Sequence, residues 1–162
     1  MLKVKRVYEK PSATDGERFL VDRLWPRGLK KQDAHLKAWL RDLAPSADLR
    51  RWFSHDPHRW EEFRRRYVEE LENPEKTSQI EDLLQRVRQG TATLVFAAKD
   101  EGKNNAVVLK QYLEKRLEVK VPPEYTQGDI GTRAFRLPTG RLIITDQEGN
   151  LEQITVPVPG RA

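Results

Sequence analysis

Thr93–Leu94–Val95–Phe96–Ala97–Ala98, then the polar run Lys99–Asp100–Glu101–Gly102–Lys103–Asn104–Asn105, then Ala106, Leu109, Leu113 and Leu117 at helical spacing decide the fold class. A short, largely apolar run that follows Gly90 and ends in polar residues suits a strand buried on both faces. Strand, polar loop and helix make half of a βαβ unit, whose natural home is a mainly parallel sheet covered by helices. The expectation is an α/β protein: a small, mainly parallel central sheet flanked by helices, with a C-terminal β-meander as an extension.

Upstream, residues 4–8 read as a first strand and residues 18–24 as a second. The second runs into Trp25–Pro26–Arg27–Gly28, where Pro26 removes a backbone donor and biases Trp25 towards extended geometry. Nine residues separate Tyr8 from Arg18, which is short for a parallel crossover and comfortable for an antiparallel return.

Four helices are expected between the second and third strands. Asp33 caps one carrying Leu36, Trp39, Leu40 and Leu43, and Ser46 caps a short one carrying Leu49, Trp52 and Phe53. Asp56–Pro57 starts a third, whose face is Trp60, Phe63, Tyr67 and Leu71. Asn73–Pro74 starts a fourth with Ile80, Leu83, Leu84 and Val87 inward and Gly90 as its stop.

Beyond residue 119 the texture changes. Pro122–Pro123 breaks the helix, and short strands are expected at 133–137, 141–145 and 151–156 around turn-forming linkers. The division is therefore 1–119 as the α/β domain and 120–162 as a β-rich extension. With few large apolar groups, the extension is expected to pack on the main domain or on a partner subunit, which makes a homo-oligomer one expectation.

The 162 residues suit one core-forming domain. There is no Cys, which excludes disulfides, thiolate metal sites and Cys nucleophiles. Three His leave little material for a metal site, and no metal is assigned. No apolar run nears the ~20 residues of a membrane span, and MLKVKRVYEK lacks a signal-peptide core, so a soluble cytoplasmic protein without a membrane partner is expected. The formal charge is +5, and because 120–162 carries five basic and five acidic side chains, the whole surplus lies in 1–119. Such a surplus attracts anionic partners but does not establish a nucleic-acid binder.

Two constellations follow predicted strand ends, where ligands bind in open α/β sheets. In the first, Asp22 inside a buried strand needs a cationic partner, with Arg23, Arg27, Arg6 and Lys99 as candidates, or else serves as an acid, base or water-orienting group. The structural alternative is a buried salt bridge that holds the loop. Arg27, Lys30 and Lys31 surround a Gly-bearing turn suited to an anion, and Trp25 either walls that pocket or seals the core. In the second, Lys99 leaves the third strand, Asp100 or Asn104 caps the next helix, and Asn105 opens it. If the third strand lies beside the second, both loops open onto one crevice. His55, beside a helix start, joins Asp22 as a candidate catalytic residue, while His55–Asp56–Pro57–His58 lacks the i, i+4 spacing of a helical metal pair. Neither a Walker A motif nor a dinucleotide-binding glycine pattern is present, so no cofactor is assigned.

The runs KRVY, LVDRLWPRGLKK, PSADLRRWFSHDP, TLVFAAKD and NNAVVLKQYL, with the spacing of Phe63, Tyr67 and Leu71, closely resemble the bacterial DUF488 family, in its branch of small uncharacterised YeaO-like proteins. The resemblance covers about residues 3–117 and implies an α/β fold with a central sheet. It also implies a helix between the first two strands, which favours parallel strands and a degenerate crossover here. The wider family has a DVR-type strand end and a basic Pro-containing turn, similar to Asp22–Arg23 and Pro26–Arg27. Many relatives read Asn-His-Ala where this chain has Asn104–Asn105–Ala106. A carboxamide does not titrate, so Asn105 cannot replace an acid/base His, which weakens an enzyme reading or moves the role to Asp22 or His55. The shorter relatives lack the extension after residue 120.

Three functions are open at this point. The first is an enzyme or binding domain for a small phosphorylated or nucleotide-like anion, with Arg23, Trp25, Arg27, Lys30, Lys99, Asp100, Asn104 and Asn105 as ligand-binding residues. The second is a non-enzymatic nucleic-acid or protein-binding module using the basic helical face at 50–66, where Glu61, Glu62, Glu69 and Glu70 argue against a pure phosphate track. The third is a structural subunit that dimerises through the extension.

Overall fold

The computed structural model describes residues 1–118, 133–136 and 142–145, and the chain divides into two compact units, Met1–Leu113 and Glu114–Ala162. The boundary drawn from the sequence lies at 119/120. The first unit is built on β4 (Ala92–Phe96), every residue of which is buried. β4 pairs in parallel with β1 (Leu2–Arg6) on one side and with β2 (Glu17–Leu20) on the other. β3 (Ala38–Trp39) adds in parallel to the far side of β2, giving the order β1-β4-β2-β3. The third predicted strand does lie beside the second, and the sheet is parallel throughout.

The crossover from β1 to β2 is degenerate. It holds only a 3-10 turn, Ala13–Asp15, in which Ser12 and Asp15 cap each other's backbone. Asp15 is buried and bonds Lys5 at 3.2 Å and Arg18 at 2.7 Å. Burial alone would raise its pKa; the Ser12 amide and the two cations hold it below the usual carboxylate value instead. Gly16 then passes against Thr91 with φ +63. A Cβ there would lie 2.1 Å from the Thr91 carbonyl oxygen, so the close approach requires glycine.

The helix expected from Asp33 is not formed. Instead α1 (Lys31–Ala34) makes one turn and stops at His35 in the left-handed region, and β3 and a 3-10 turn, Arg41–Leu43, follow. The Lys37 amide donates to Arg18 O at 2.7 Å and the Leu40 amide to Leu20 O at 2.8 Å. Those ladder bonds to β2 override the helical spacing of the apolar residues. The first strand also begins two residues earlier than expected, at Leu2, because the Ala92 amide reaches back to Met1 O.

The other helices follow their caps. Ser46 Oγ accepts from the Leu49 amide and opens α2 (Ala47–Phe53). Asp56 and Asn73 cap 3-10 turns that lead into α3 (Trp60–Leu71) and α4 (Thr77–Gln89), with Pro at the first position of each turn. The predicted faces of α3 and α4 are buried, and Tyr67 Oη donates to Leu43 O at 2.6 Å in the core. α5 (Asn105–Glu118) buries Ala106, Leu109 and Leu113 and half-buries Leu117. In the second unit, β5 (Arg133–Arg136) pairs antiparallel with β6 (Leu142–Thr145). The strand expected at 151–156 lies outside the described residues. No helix among the described residues is long and apolar enough to cross a membrane.

Candidate functional site

At the carboxyl end of the sheet the ladder between β2 and β4 is opened by two side chains. The Val21 amide still donates to Val95 O at 3.2 Å. In a continuing parallel ladder the Ala97 amide would next donate to Val21 O. Instead the Ala97 amide donates to Asp22 Oδ2 at 2.8 Å, and Val21 O accepts from Asn105 Nδ2 at 2.9 Å. The Ala97 amide and the Val21 carbonyl each keep a partner, yet the strands part. This is why the second strand ends at Leu20 and not at 24, and why Asp22 stands just beyond the strand.

The parting opens into a cleft of about 880 Å³. Its walls are the 22–27 turn, the end of α2 with Ser54 and His55, and the segment from Ala97 to the start of α5. The Trp–Pro turn and the Lys–Asp loop therefore line one hollow. Of the residues singled out in the sequence, Asp22, Arg23, Trp25, Arg27, His55, Lys99, Asp100, Asn104 and Asn105 line it. Lys30 does not: the Leu29 amide bonds Pro26 O at 3.3 Å, and the turn carries Lys30 away as the N-cap of α1.

Asp22 has none of the expected cationic partners. It accepts from the Ala97 amide and, at Oδ1, from Asn105 Nδ2 at 3.1 Å. Burial pushes its pKa above the usual carboxylate value, against the Ala97 amide, the Asn105 amide and the charge of His55. Among the described residues, the cations named for it are occupied elsewhere or have no partner. Arg23 Nε donates to Pro45 O at 2.8 Å, while Arg6 holds Ala98 O at 3.0 Å and Ala97 O at 3.2 Å. Arg27 is exposed, and its own carbonyl accepts from Tyr8 Oη at 2.8 Å.

Asn104 is the cap of α5, since its Oδ1 accepts from the Val107 amide at 3.1 Å. Asp100 instead shapes the loop: Oδ1 takes the Gly102 and Lys103 amides at 2.9 and 3.0 Å, which hold its carboxyl below the usual value. Trp25 serves both expected roles. Its Nε1 donates to Leu29 O at 2.7 Å, its ring meets Trp39 edge-on at 5.5 Å, and it packs on Val7, Leu20 and Val95 while facing the cleft. Ser54 and His55 are consecutive non-glycine residues at φ 45 and φ 56. Holding each there costs on the order of 1 kcal/mol.

Sequence reading missed several walls. Tyr8, Leu24, Pro45 and Ser54 carried no signal, and Phe53 and Phe63 were read only as core. Arg50 and Arg51 stood in the basic helical stretch but line the cleft instead. The rest of that stretch is neutralised in place. Arg64 pairs with Glu61, Arg65 with Glu62 and Glu69, and Arg66 with Glu62, whose carboxyl is held down to about 2 by Arg65 and Arg66. Arg59 and Arg66 also lie over the Trp52 ring at 5.1 and 4.3 Å. Around the cleft, by contrast, Arg27, Arg50 and Lys99 make no side-chain hydrogen bond or ion pair among the described residues, while Arg51 pairs with Asp48. Among the described residues no group of three or more His, Asp or Glu is placed to hold a metal ion.

Residues 1–128 match a family profile, DUF488-N3i, described as the "Inactive DUF488-N3 subclade". The chain belongs to the DUF488 family. It is 40% identical over 115 residues to the uncharacterised protein Rv3073c of Mycobacterium tuberculosis (strain H37Rv), covering 71% of this chain and 95% of that protein. It is 38% identical over 113 residues to the uncharacterised protein YeaO of Escherichia coli (strain K12), covering 69% and 96%. Both DUF488 relatives are thus matched over nearly their whole length, while more than a quarter of this chain has no counterpart in them. No solved structure matches the chain.

Proposed function

We propose that this DUF488 protein is a binding domain, not a catalyst, for a small phosphorylated or nucleotide-like anion seated where β2 and β4 part. The observation that carries the reading is the set of three cations, Arg27, Arg50 and Lys99, that line one cleft and whose side chains have no hydrogen-bond or ion-pair partner among the described residues. An unpaired guanidinium or ammonium in a concave site gains most from a multiply charged ligand. Trp25, pinned by its own hydrogen bond, offers a rigid apolar wall beside them. The binding reading is favoured over an enzyme by Asn105, which cannot titrate, and by the description of the matched subclade as inactive. Asp22 and His55, the candidate acid/base pair, then act as ligand contacts, with Arg23, Asp100 and Asn104 shaping the walls.

The test is a thermal-shift screen of nucleotides, sugar phosphates and inorganic phosphate. At least one phosphorylated compound is expected to raise Tm, and Arg27→Ala with Lys99→Ala is expected to abolish that rise without lowering Tm in buffer. Silence across the panel at millimolar concentration overturns the reading.

A further inference from the structure

The anion reading leaves the floor of the cleft unexplained, because the floor carries the wrong charge for an anion. Asp22 Oδ2 accepts from the Ala97 amide and Oδ1 from Asn105 Nδ2, and among the described residues no cation forms an ion pair with either oxygen. A carboxylate oxygen accepts in two directions, so each still has one free. Asn105 is committed in the same sense. Both hydrogens of its Nδ2 are spent, on Val21 O at 2.9 Å and on Asp22 Oδ1 at 3.1 Å. Two acceptors fix the amide's orientation, and Oδ1 is left with no partner among the described residues. The protein thus places acceptors and no free side-chain donor on Asp22 and Asn105, beside walls that carry Arg27, Arg50 and Lys99.

A bare phosphate, which only accepts at full charge, suits the walls and is repelled by the floor. A ligand with hydrogen-bond donors at one end and a phosphate at the other suits both. The cleft has room for it, since about 880 Å³ is within the range that small organic ligands fill. We infer that the opened end of the β2–β4 ladder is a donor-reading subsite, and that the ligand is a hydroxyl-bearing phosphate ester whose hydroxyl hydrogens bond Asp22 and Asn105 while its phosphate lies among Arg27, Arg50 and Lys99. The inference rests on the anion-binding reading above and adds the chemistry of the ligand's other end. It also gives the broken ladder a purpose: two side chains satisfy the backbone so that their remaining acceptors turn to the ligand.

The experiment is calorimetric titration of the full chain with ribose 5-phosphate, butyl phosphate and inorganic phosphate, all at one pH and ionic strength. Butyl phosphate keeps the charge and removes the hydroxyls. Ribose 5-phosphate is expected to bind at least about tenfold tighter than butyl phosphate, the scale of one lost hydrogen bond to a charged group. Asp22→Asn should collapse that ratio, whereas Arg27→Ala should weaken both esters by the same factor. Equal binding of the two esters by the unaltered protein overturns the donor subsite and leaves the anion reading standing, with no variant needed. A ratio that survives Asp22→Asn also overturns it. No binding by any of the three, together with a silent nucleotide panel, removes both readings.

Discussion

Asp22 is the residue on which the site turns, and its energetics run against ordinary carboxylate behaviour. Burial raises its pKa in the folded state above 3.8, the ordinary value of an aspartate. The folded state therefore holds the proton more tightly, and that contribution to stability is complete below 3.8 and lost as pH rises through the folded pKa. Asp22→Asn removes the titration. The stability of the variant minus that of the unaltered protein is expected to rise from pH 3.5 to pH 7, as read by urea midpoints with a constant m-value. Parallel curves would show that Asp22 is solvated like a surface acid. The pairwise difference matters because Asp15 and Asp100, both held below the ordinary value, give slopes of the opposite sign in both proteins. In the sequence Asn105 stands as the residue that opens the last helix, as a candidate ligand contact and as a departure from relatives. Its hydrogen bonds give it a structural task, holding open the ladder that Asp22 interrupts.

Among the elements, the β1-to-β2 crossover is the most economical. Ten residues leave β1 and enter β2 past the slot occupied by β4, with one 3-10 turn and a buried Asp15 that ties together Lys5, Arg18 and the Ser12 amide. Its tightest point is Gly16 against Thr91. Gly16→Ala is expected to cost more than about 3 kcal/mol in urea denaturation, since a Cβ must displace backbone and adopt a positive φ as well. Gly28→Ala is the control. Gly28 has φ +77 but open space around it, and its loss should stay near 1 kcal/mol. Equal costs at the two positions would mean that the Thr91 approach carries no weight. α3 shows the opposite economy: its buried face was legible from spacing alone, and its exposed face neutralises its own arginines, which is why a basic run there does not make a basic surface.

For the whole molecule, the family profile ends at residue 128 and the two relatives are matched over 115 and 113 residues, nearly their full length. We propose that 120–162, most of which lies beyond the profile match, packs on the domain or joins two copies. Light scattering of the full chain is expected to give the mass of a dimer, against a monomer for a chain ended at Lys120 that still responds to the same ligand. A full chain of about 18.9 kDa in solution would set aside the dimer.

Signals that act over a few residues were enough for much of this protein. Caps at Ser46, Asp56 and Asn73, the inward faces of three helices, and the buried run at 93–96 are local matters of hydrogen bonding and periodicity, and they could be read directly. So could the two polar loops that follow strand ends, which proved to share a cleft. What the chain could not announce were bonds between distant residues. β3 replaced a helix because the Lys37 and Leu40 amides found carbonyls on β2. β2 ended early because Ala97 and Asn105, 75 residues or more away, took the hydrogen bonds of Asp22 and Val21. A carboxylate that looked in want of a cation found amides instead, because only the assembled sheet decides which donors stand within hydrogen-bond reach of it.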